Sequence, residues 1–433
     1  MTRRSSLPWL ATAACASSLL VAPPAAAIAQ TAGGLVPGGI VRVVTSLADS
    51  GPGSLRQAVT VPGPSVVVFA VGGYVDLAAP LVLDRNRVTV AGETAPGPGI
   101  VIRGGTVAIR ASDVVLSHVA VYPGATPDPK LADNRDAINL VGSVKRGLKI
   151  SRVRLDHVST AWGVDENIDL QGPVDDVRIV DSLIGEPLMQ AGHPKGIHSM
   201  NLLIGSGVGR VDLSGNLFVA GNQRNPRLVP ENRVSMRGNV VAGWGNAAAH
   251  LDMSQTQPAA VGAFDVVGNV FEPGPDSRCK TPPIRIDPAV FAAVPAPSVH
   301  VGANLLLDPE GRCRSPATTD ADPARLAPAP TLGAAERTVP LERVREQVLA
   351  GAGARPRARN PIDARIVATV RSGQVRLVGD ETAVGGYPAL EPTRTSLVSP
   401  IAGGVLRDEA DVATMRRWLC EAARKVAGGA ACR

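Results

Sequence analysis

The sequence VDLSGNLF at residues 211–218 decides the fold, because variants of it return three times further along the chain. They read VSMRGNVV at 234–241, FDVVGNVF at 264–271 and VHVGANLL at 299–306. Residues 152–159 and 177–184 fit the same frame, with His157 and Ser182 in the position of the asparagine. The six frame positions are separated by 25, 34, 23, 30 and 35 residues.

A degenerate repeat of this length favours a stack of coils, each made of three short strands. No such strand can bury its apolar face alone, whereas stacked coils share one core. A polar residue at a bend can bond to its equivalent one coil away, which explains the recurring asparagine. A β-sandwich or propeller also has short strands and turns, but neither accounts for an inward asparagine at coil spacing. The sequence therefore predicts an all-β protein built as a parallel β-helix.

The composition agrees with a large aliphatic core. Of the 433 residues, 45% are apolar and 19% charged, which excludes global disorder. Four Trp, three Tyr and five Phe leave the core to Val, Ile, Leu and Ala, with few aromatic platforms for stacking neutral sugars. The 46 Gly and 37 Pro indicate many turns.

Residues 1–29 have the pattern of an export signal. Arg3 and Arg4 precede a short apolar stretch, and Ala27-Ile28-Ala29 forms a small-residue cleavage site. The stretch is too short to span a membrane, so we expect a secreted or periplasmic protein without a membrane partner. Losing the two arginines lowers the net charge from +6 to +4, and the chain has no run of Lys or Arg that would indicate nucleic acid. We expect a monomer.

Four cysteines remain after the leader, which contains Cys15. An even number in an exported chain predicts two disulfides among three possible connectivities. Proximity in sequence favours Cys279–Cys313 and Cys420–Cys432.

The chain changes character at about residue 315. We predict a β-helix catalytic domain over residues 30–314 and an extension over 315–433 that begins with an Ala/Pro-rich linker. Apolar spacing predicts short helices at 339–350, 361–371 and 408–427. We expect this extension to pack on the β-helix rather than to form a second catalytic domain.

Charged residues that could bind a ligand or take part in catalysis cluster between residues 133 and 237. Asp136 lies about one coil before Asp165 and Asp169, so stacking would bring the three together. Carboxylates that close repel one another unless a cation bridges them, and hard oxygens select Ca²⁺ or Mg²⁺. A solvated acidic edge is the alternative reading. Basic residues follow one and two coils further on, as a metal-bridged polyanion site requires; they are Lys195, Arg224 and Arg227.

Several motifs together resemble the pectate lyase superfamily of right-handed parallel β-helix enzymes, over roughly residues 40–310. The motifs are VTSLADSGPGSLR at 44–56, AGETAPG at 91–97, IRGG at 102–105, Asp136-Ala137-Ile138, Asp156-His157, Trp162-Gly163 with Asp165, and Arg224-x-Pro226-Arg227. The resemblance implies that Asp136, Asp165 and Asp169 bind Ca²⁺ between the protein and a uronate carboxylate. Glu166 would be an optional helper.

The resemblance also implies the catalytic roles. Arg224 would remove the proton from C5 of the uronate, and Lys195 would bind the substrate carboxylate. We assign Arg227 and His198 to substrate binding. Ca²⁺ and Lys195 would neutralise the carboxylate beside C5, and the C4–O bond would then break without added water. Because arginine normally has a pKa above ~12, this requires a crowded, desolvated cationic site.

Two local departures from the family pattern concern the substrate. The family often has a second arginine five residues after the base, where this chain has Val229; Arg233 or Arg237 could replace it, or a contact is missing. His193 and His198 could form a metal-binding pair, but the sequence offers no third ligand at zinc spacing, so we predict no zinc there.

The leading prediction is therefore a Ca²⁺-dependent pectate lyase that cleaves polygalacturonate or pectin by β-elimination. A β-helix glycoside hydrolase is one alternative; it would need paired carboxylates, and Asp175-Asp176 is the only adjacent aspartate pair. A non-catalytic polyuronate-binding protein is the other.

Overall fold

The computed structural model describes residues 33–253, 261–333, 339–429 and residue 432. The predicted export signal at 1–29 lies outside the described residues. None of the helices in the described ranges combines the length and the apolar character that a membrane span needs.

Strands from successive turns of the chain form three sheets, and each turn passes through sheet 1, then sheet 2, then sheet 3. In the described ranges, sheet 1 contains Ile40–Val44 (β1), Ser65–Phe69 (β2), Val88–Ala91 (β5), Val114–Ser117 (β8), Ile150–Asp156 (β11), Val174–Val180 (β14), Arg210–Ser214 (β17), Arg233–Arg237 (β20), Ala263–Val267 (β23) and Ser298–Gly302 (β26). Sheet 2 contains Val71–Asp76 (β3), Ile100–Arg103 (β6), Val119–Tyr122 (β9), Ser159–Ala161 (β12), Leu183–Gly185 (β15), Leu217–Val219 (β18), Val240–Ala242 (β21), Val270–Glu272 (β24), Leu305–Leu306 (β27) and Thr393–Arg394 (β28). Sheet 3 contains Leu81–Leu83 (β4), Val107–Ile109 (β7), Ile138–Val141 (β10), Glu166–Gln171 (β13), Met200–Ile204 (β16), Arg227–Leu228 (β19), Ala249–Leu251 (β22) and Ile284–Ile286 (β25).

The pairing within each sheet is parallel and in step, apart from the antiparallel strand β28. In sheet 1, for example, Val177 lies beside Val211, which lies beside Val234. Stacking β-branched residues of equal size gives every turn the same inward surface, so one aliphatic core runs through the whole stack. The prediction of a right-handed parallel β-helix is confirmed.

The recurring asparagines form a hydrogen-bonded ladder inside the β-helix, as the repeat predicts. Asn216 Nδ2 donates to Asn239 Oδ1 at 3.0 Å, Asn239 to Asn269 at 2.9 Å and Asn269 to Asn304 at 2.9 Å. The hydroxyl of Ser182 continues the ladder, accepting from the Val158 N–H at 3.1 Å. Each rung satisfies polar groups that would otherwise be buried without partners.

Five α-helices accompany the sheets in the described residues: Leu55–Thr60 (α1), Pro129–Ala132 (α2), Leu341–Gly351 (α3), Pro361–Arg371 (α4) and Glu409–Val426 (α5). Short 3₁₀ helices occur at Gly92–Thr94, Pro288–Ala292, Pro323–Arg325, Glu381–Val384 and Ala402–Gly404. The three helices predicted after residue 338 are confirmed as α3, α4 and α5.

Helices α3 and α4 lie on the outer face of sheet 2. Val344 and Val348 of α3 and Ile366 of α4 belong to one buried apolar cluster with outward residues of sheet 2 such as Leu183 and Leu217. Helix α5 packs through Val412, Met415 and Leu419 against the outer face of β2. The strands of sheet 3 are not part of either cluster, so no described helix packs an apolar cluster against the outer face of this sheet.

Both predicted disulfides are present. Cys279 bonds to Cys313 beside the last turns of the β-helix, and Cys420 of α5 bonds to Cys432.

Candidate active site

The charged residues singled out in the sequence lie in, or shortly before, four successive strands of sheet 3: β10, β13, β16 and β19. Asn139 lies beside Asp169, Asp169 beside Leu203, and Leu203 beside Arg227. Because parallel strands are in step, these side chains form one row along the β-helix. Asp169 and Arg227 thus face the same side, two turns apart.

Three carboxylates meet where β10 and β13 begin. Asp136, Asp165 and Glu166 each bring one oxygen into a group whose members all lie within 4.8 Å of one another. Asp136 accepts bonds from the Glu166 N–H at 3.1 Å and from Asn139 Nδ2 at 2.8 Å. Asp169 is the neighbouring carboxylate in the row; Gln171 Nε2 donates to one of its oxygens at 2.8 Å, and the other is buried without a hydrogen-bond partner among the described residues.

Crowding and burial disfavour the ionised state of these acids. Burial raises the pKa of Asp136 to about 7; the bond from Asn139 opposes the rise and the charge of Asp165 adds to it. Burial and then the charge of Asp136 also raise the pKa of Asp169 well above its usual value. Like charges held together in a buried place are relieved by a cation, and carboxylate oxygens are the ligands that Ca²⁺ prefers.

Arg224 reaches this group from the strand two turns further on. Its backbone lies in the left-handed region, with φ of 59°, and its guanidinium forms an ion pair with Glu166. Burial and then the charge of Arg227 lower the pKa of Arg224, while nearby carboxylates oppose the change. Arg224, whose guanidinium pKa is lowered, is therefore in contact with the carboxylate group.

A second asparagine ladder supports the site from inside and was not predicted. Asn167 Nδ2 donates to Asn201 Oδ1 at 2.8 Å, and Asn201 Nδ2 donates to Asn225 Oδ1 at 2.7 Å. Each of the three is fully or almost fully buried. Asn167 follows Glu166 and Asn225 follows Arg224, so the ladder fixes the backbone on both sides of that ion pair.

Arg227 is held by an acid rather than left free. Its guanidinium bonds to Asp252, with Nε to Oδ1 at 2.9 Å and Nη2 to Oδ1 at 2.8 Å. His250 lies beside Arg227 in the next strand, and burial lowers its pKa to about 4. This end of the row therefore presents a positive group whose direction is set by Asp252.

The segment between β15 and β16 adds two histidines and a lysine. The rings of His193 and His198 stack with centroids 3.6 Å apart. His198 Nε2 lies 3.0 Å from Asp165 Oδ1, and His193 Nε2 lies 3.4 Å from the same atom. Lys195 Nζ is 3.3 Å from Asp133 Oδ1, with two thirds of its side chain exposed.

Curated proteins are similar to about half of the chain. No family model matches the chain. A protein of Aspergillus terreus named probable pectate lyase C is 32% identical over 240 residues, which are 55% of this chain and 51% of that protein. Its namesake in Emericella nidulans is 34% identical over 241 residues, 55% of this chain and 50% of that protein.

Over this stretch the chain is similar to proteins named pectate lyases. The chain spans about half the length of the curated relatives it matches. Two solved structures are also similar to it. The cedar pollen allergen Jun a 1 has a TM-score of 0.45 and 16% identity over 72% of this chain and 87% of that one; a pectate lyase from Xanthomonas campestris has a TM-score of 0.45 and 16% identity over 76% and 98%. The fold assignment rests on the strand pairing of this chain itself.

The residues matched to pectate lyase motifs do not all meet at one point. Asp136 and Asp165 join the carboxylate group together with Glu166, and Asp169 lies beside it in the row. Arg224 touches that group, whereas Lys195 pairs with Asp133 at its margin. The list of ligands and catalytic groups stays a prediction.

The position where the family often has a second arginine is buried in this chain. Val229 is 2% exposed, so its side chain is buried. The suggestion that Arg233 or Arg237 replaces it is wrong, because both lie in β20 of sheet 1 and Arg237 pairs there with Asp265. Asp175-Asp176 also lies in sheet 1, within β14, where Asp175 accepts the Arg210 N–H at 2.7 Å, so this pair is a structural feature of another sheet than the carboxylate group.

Proposed function

We propose that the protein is a calcium-dependent pectate lyase that cleaves polygalacturonate by β-elimination. The observation that carries the proposal is the contact between the Arg224 guanidinium and a group of crowded, buried carboxylates on the open face of sheet 3. Such a site combines a place for a cation with a nitrogen base. The names of the curated relatives support the same reaction.

The residues present fit calcium. The group offers only carboxylate oxygens, and burial together with the charge of neighbouring carboxylates raises the pKa of Asp136 and of Asp169. We assign Asp136, Asp165 and Asp169 as the ligands, with Glu166 beside them. When bound, Ca²⁺ supplies positive charge that neutralises the uronate carboxylate and so acidifies the proton on C5.

Arg224 takes that proton. The neutral guanidine accepts the C5 proton and becomes guanidinium, the C–H electrons form the C4–C5 double bond, and the C4–O bond breaks. The leaving oxygen gains a proton from solvent. Burial and the positive charge of Arg227 favour the neutral form of Arg224, while Glu166 favours the charged one. If Glu166 turned from Arg224 to the cation, the neutral form of Arg224, which is the base, would therefore be favoured.

Two further residues would bind the polymer. Lys195 is exposed and could leave Asp133 for a uronate carboxylate at little cost, because a surface ion pair contributes only about 0–1 kcal/mol. Arg227, directed by Asp252, presents a second cationic group two turns from Asp169. The partner is thus an acidic polysaccharide. We also propose that the protein acts outside the cytoplasm as a monomer.

The proposal is tested by incubating the protein with polygalacturonate and Ca²⁺ while following ultraviolet absorbance of unsaturated products. We expect a rise in absorbance that stops when a chelator is added and resumes with excess Ca²⁺. Reducing ends without ultraviolet absorbance would indicate a hydrolase. Calcium-dependent binding of the polymer without any product would indicate a non-catalytic polyuronate-binding protein.

A further inference from the structure

A second group of possible cation ligands adjoins the carboxylate group and shares Asp165 with it. It consists of His193, His198 and Asp165, whose ligand atoms all lie within 4.8 Å of one another. Sequence spacing offered no third ligand for the two histidines, and the fold supplies it. Asp165 comes from the preceding turn, about 30 residues earlier in the chain.

We propose that His193, His198 and Asp165 bind a transition-metal ion of the zinc type. Two imidazole nitrogens and one carboxylate are the ligands that zinc accepts in three-ligand sites, whereas calcium takes oxygen. The donor set thus separates this site chemically from the all-carboxylate group next to it.

The spacing of the donor atoms suits such an ion. Bonds of about 2.0–2.1 Å in a tetrahedral arrangement hold neighbouring ligand atoms roughly 3.3 Å apart. Here the two Nε2 atoms lie 3.0 Å and 3.4 Å from the same oxygen of Asp165, and the rings stack with an angle of only 22° between their planes. Both nitrogens therefore approach one point from the same direction.

The burial of the two rings points to a ligand as well. The side chain of His193 is 1% exposed and that of His198 is 9% exposed. His193 Nε2 and His198 Nδ1 are buried without a hydrogen-bond partner among the described residues. An unpartnered buried nitrogen costs about 1–3 kcal/mol, a cost that coordination by His193 Nε2 would remove.

One existing contact changes when the ion binds. His193 Nδ1 accepts a bond from the backbone N–H of Lys195 at 3.2 Å. Coordination through Nε2 moves the ring proton to Nδ1 and breaks this bond, so metal binding is coupled to the turn that carries Lys195. Asp133 is 3.7 Å from His193 Nε2 and flanks the open fourth position.

The experiment is a calorimetric titration of the full chain with ZnCl₂ in calcium-free buffer, with Co²⁺ absorption spectra as a second readout. We expect one equivalent of Zn²⁺ and a visible Co²⁺ band. His193→Gln and His198→Gln should each weaken Zn²⁺ binding at least 10-fold and abolish the band. His300→Gln, which changes a histidine of sheet 1, is the matched control and should leave both unchanged.

Two more variants distinguish a residue of the carboxylate group alone from one that both sites share. Glu166→Gln alters the carboxylate group but none of the proposed zinc ligands, so it should keep Zn²⁺ affinity, whereas Asp165→Asn changes the shared residue and should lose it. Retention of full Zn²⁺ affinity in both histidine variants would overturn the proposal, as would the absence of Zn²⁺ binding by the unmodified protein. Circular dichroism shows whether each variant is folded. None of these readouts depends on lyase activity, so the outcome is independent of the proposed function.

Discussion

Two faces of the β-helix treat buried carboxylates in opposite ways. Where α3 and α4 cover sheet 2, Asp363 of α4 accepts hydrogen bonds from the hydroxyl groups of Tyr122 and Ser159, both at 2.6 Å. The opposite charge that acts on Asp363 is that of Arg359. On sheet 3, the charge of Asp165 adds to that of Asp136, and Asp136 in turn acts on Asp169. The covered acid has donors and an opposite charge without a competing acid, whereas the acids on the open face, which also have donors, act on one another.

The difference teaches how to distinguish a structural acid from a ligand. A buried carboxylate with a complete set of donors contributes to stability, and removing it leaves those donors unpaired. A buried carboxylate packed against its like is a cost to the fold until a cation arrives. Variants on the two faces should therefore have opposite effects on stability and on calcium affinity.

The largest effect on activity is expected at Arg224, the proposed base on the open face. Arg224→Gln should lower kcat/KM on polygalacturonate by about 10³-fold, because it removes the group that accepts the C5 proton. Loss of the ion pair with Glu166 leaves the carboxylates more negative, so calcium affinity should be kept or increased. Ultraviolet assays and calcium calorimetry measure the two quantities. Activity within 10-fold of the unmodified protein would exclude Arg224 as the base.

On the covered face, Asp363→Ala should destabilise the protein by about 3 kcal/mol, because Tyr122 and Ser159 lose their acceptor in a buried place. Calcium affinity should not change. Denaturant unfolding measures the first effect and calorimetry the second. Asp84→Ala, at an exposed position, is the matched control and should change stability by less than about 0.5 kcal/mol. Equal effects of the two variants would contradict the structural role of Asp363.

The open face should respond in the opposite direction. Asp136→Asn should weaken calcium binding by roughly 10- to 100-fold, because the site loses one charged ligand. In chelator, the same variant should be as stable as the unmodified protein or more stable, since the amide relieves repulsion from Asp165. Calorimetry and denaturant unfolding with and without calcium measure both. A loss of stability in chelator would show that Asp136 stabilises the fold, as Asp363 is expected to do, and would contradict this prediction.

The repeat made the fold predictable. Asn216, Asn239 and Asn269 stand in one sequence frame, so their ladder and the stacking of coils follow from spacing alone. The second ladder consists of Asn167, Asn201 and Asn225. Their flanking residues do not repeat, so the repeat does not predict this ladder. The signal that could have found it is an asparagine near the start of each of three successive strands of sheet 3.

The site was predictable in its residue types but not in its groupings. Stacking coils brings Asp136 near Asp165, as expected, but the turn before β13 also brings an oxygen of Glu166 into the group, while Asp169 lies beside it. The segment before β16 has no counterpart in the repeat. The position of His193 and His198 against Asp165 therefore depends on a loop path that spacing cannot give.

The smallest expected effect is the pH dependence of the unfolding free energy in chelator, which tests whether Asp136 is destabilised by its surroundings. The folded pKa of Asp136 is raised to about 7 from a usual value of 3.8, so the folded state holds more protons than the unfolded state between these values. Stability from this group is therefore lost as pH rises, by about 1 kcal/mol between pH 5 and pH 6.

Other groups titrate in the same range, so the test needs a difference between two proteins. Burial lowers the pKa of His118 to about 4, which makes stability rise with pH, and burial raises that of Glu93 to about 7. Both effects cancel when the unfolding free energy of Asp136→Asn is subtracted from that of the unmodified protein. We expect the difference to fall with pH in chelator and to level off in saturating calcium, because the cation takes the place of the proton. A flat difference in chelator would mean that Asp136 is satisfied by Asn139 alone.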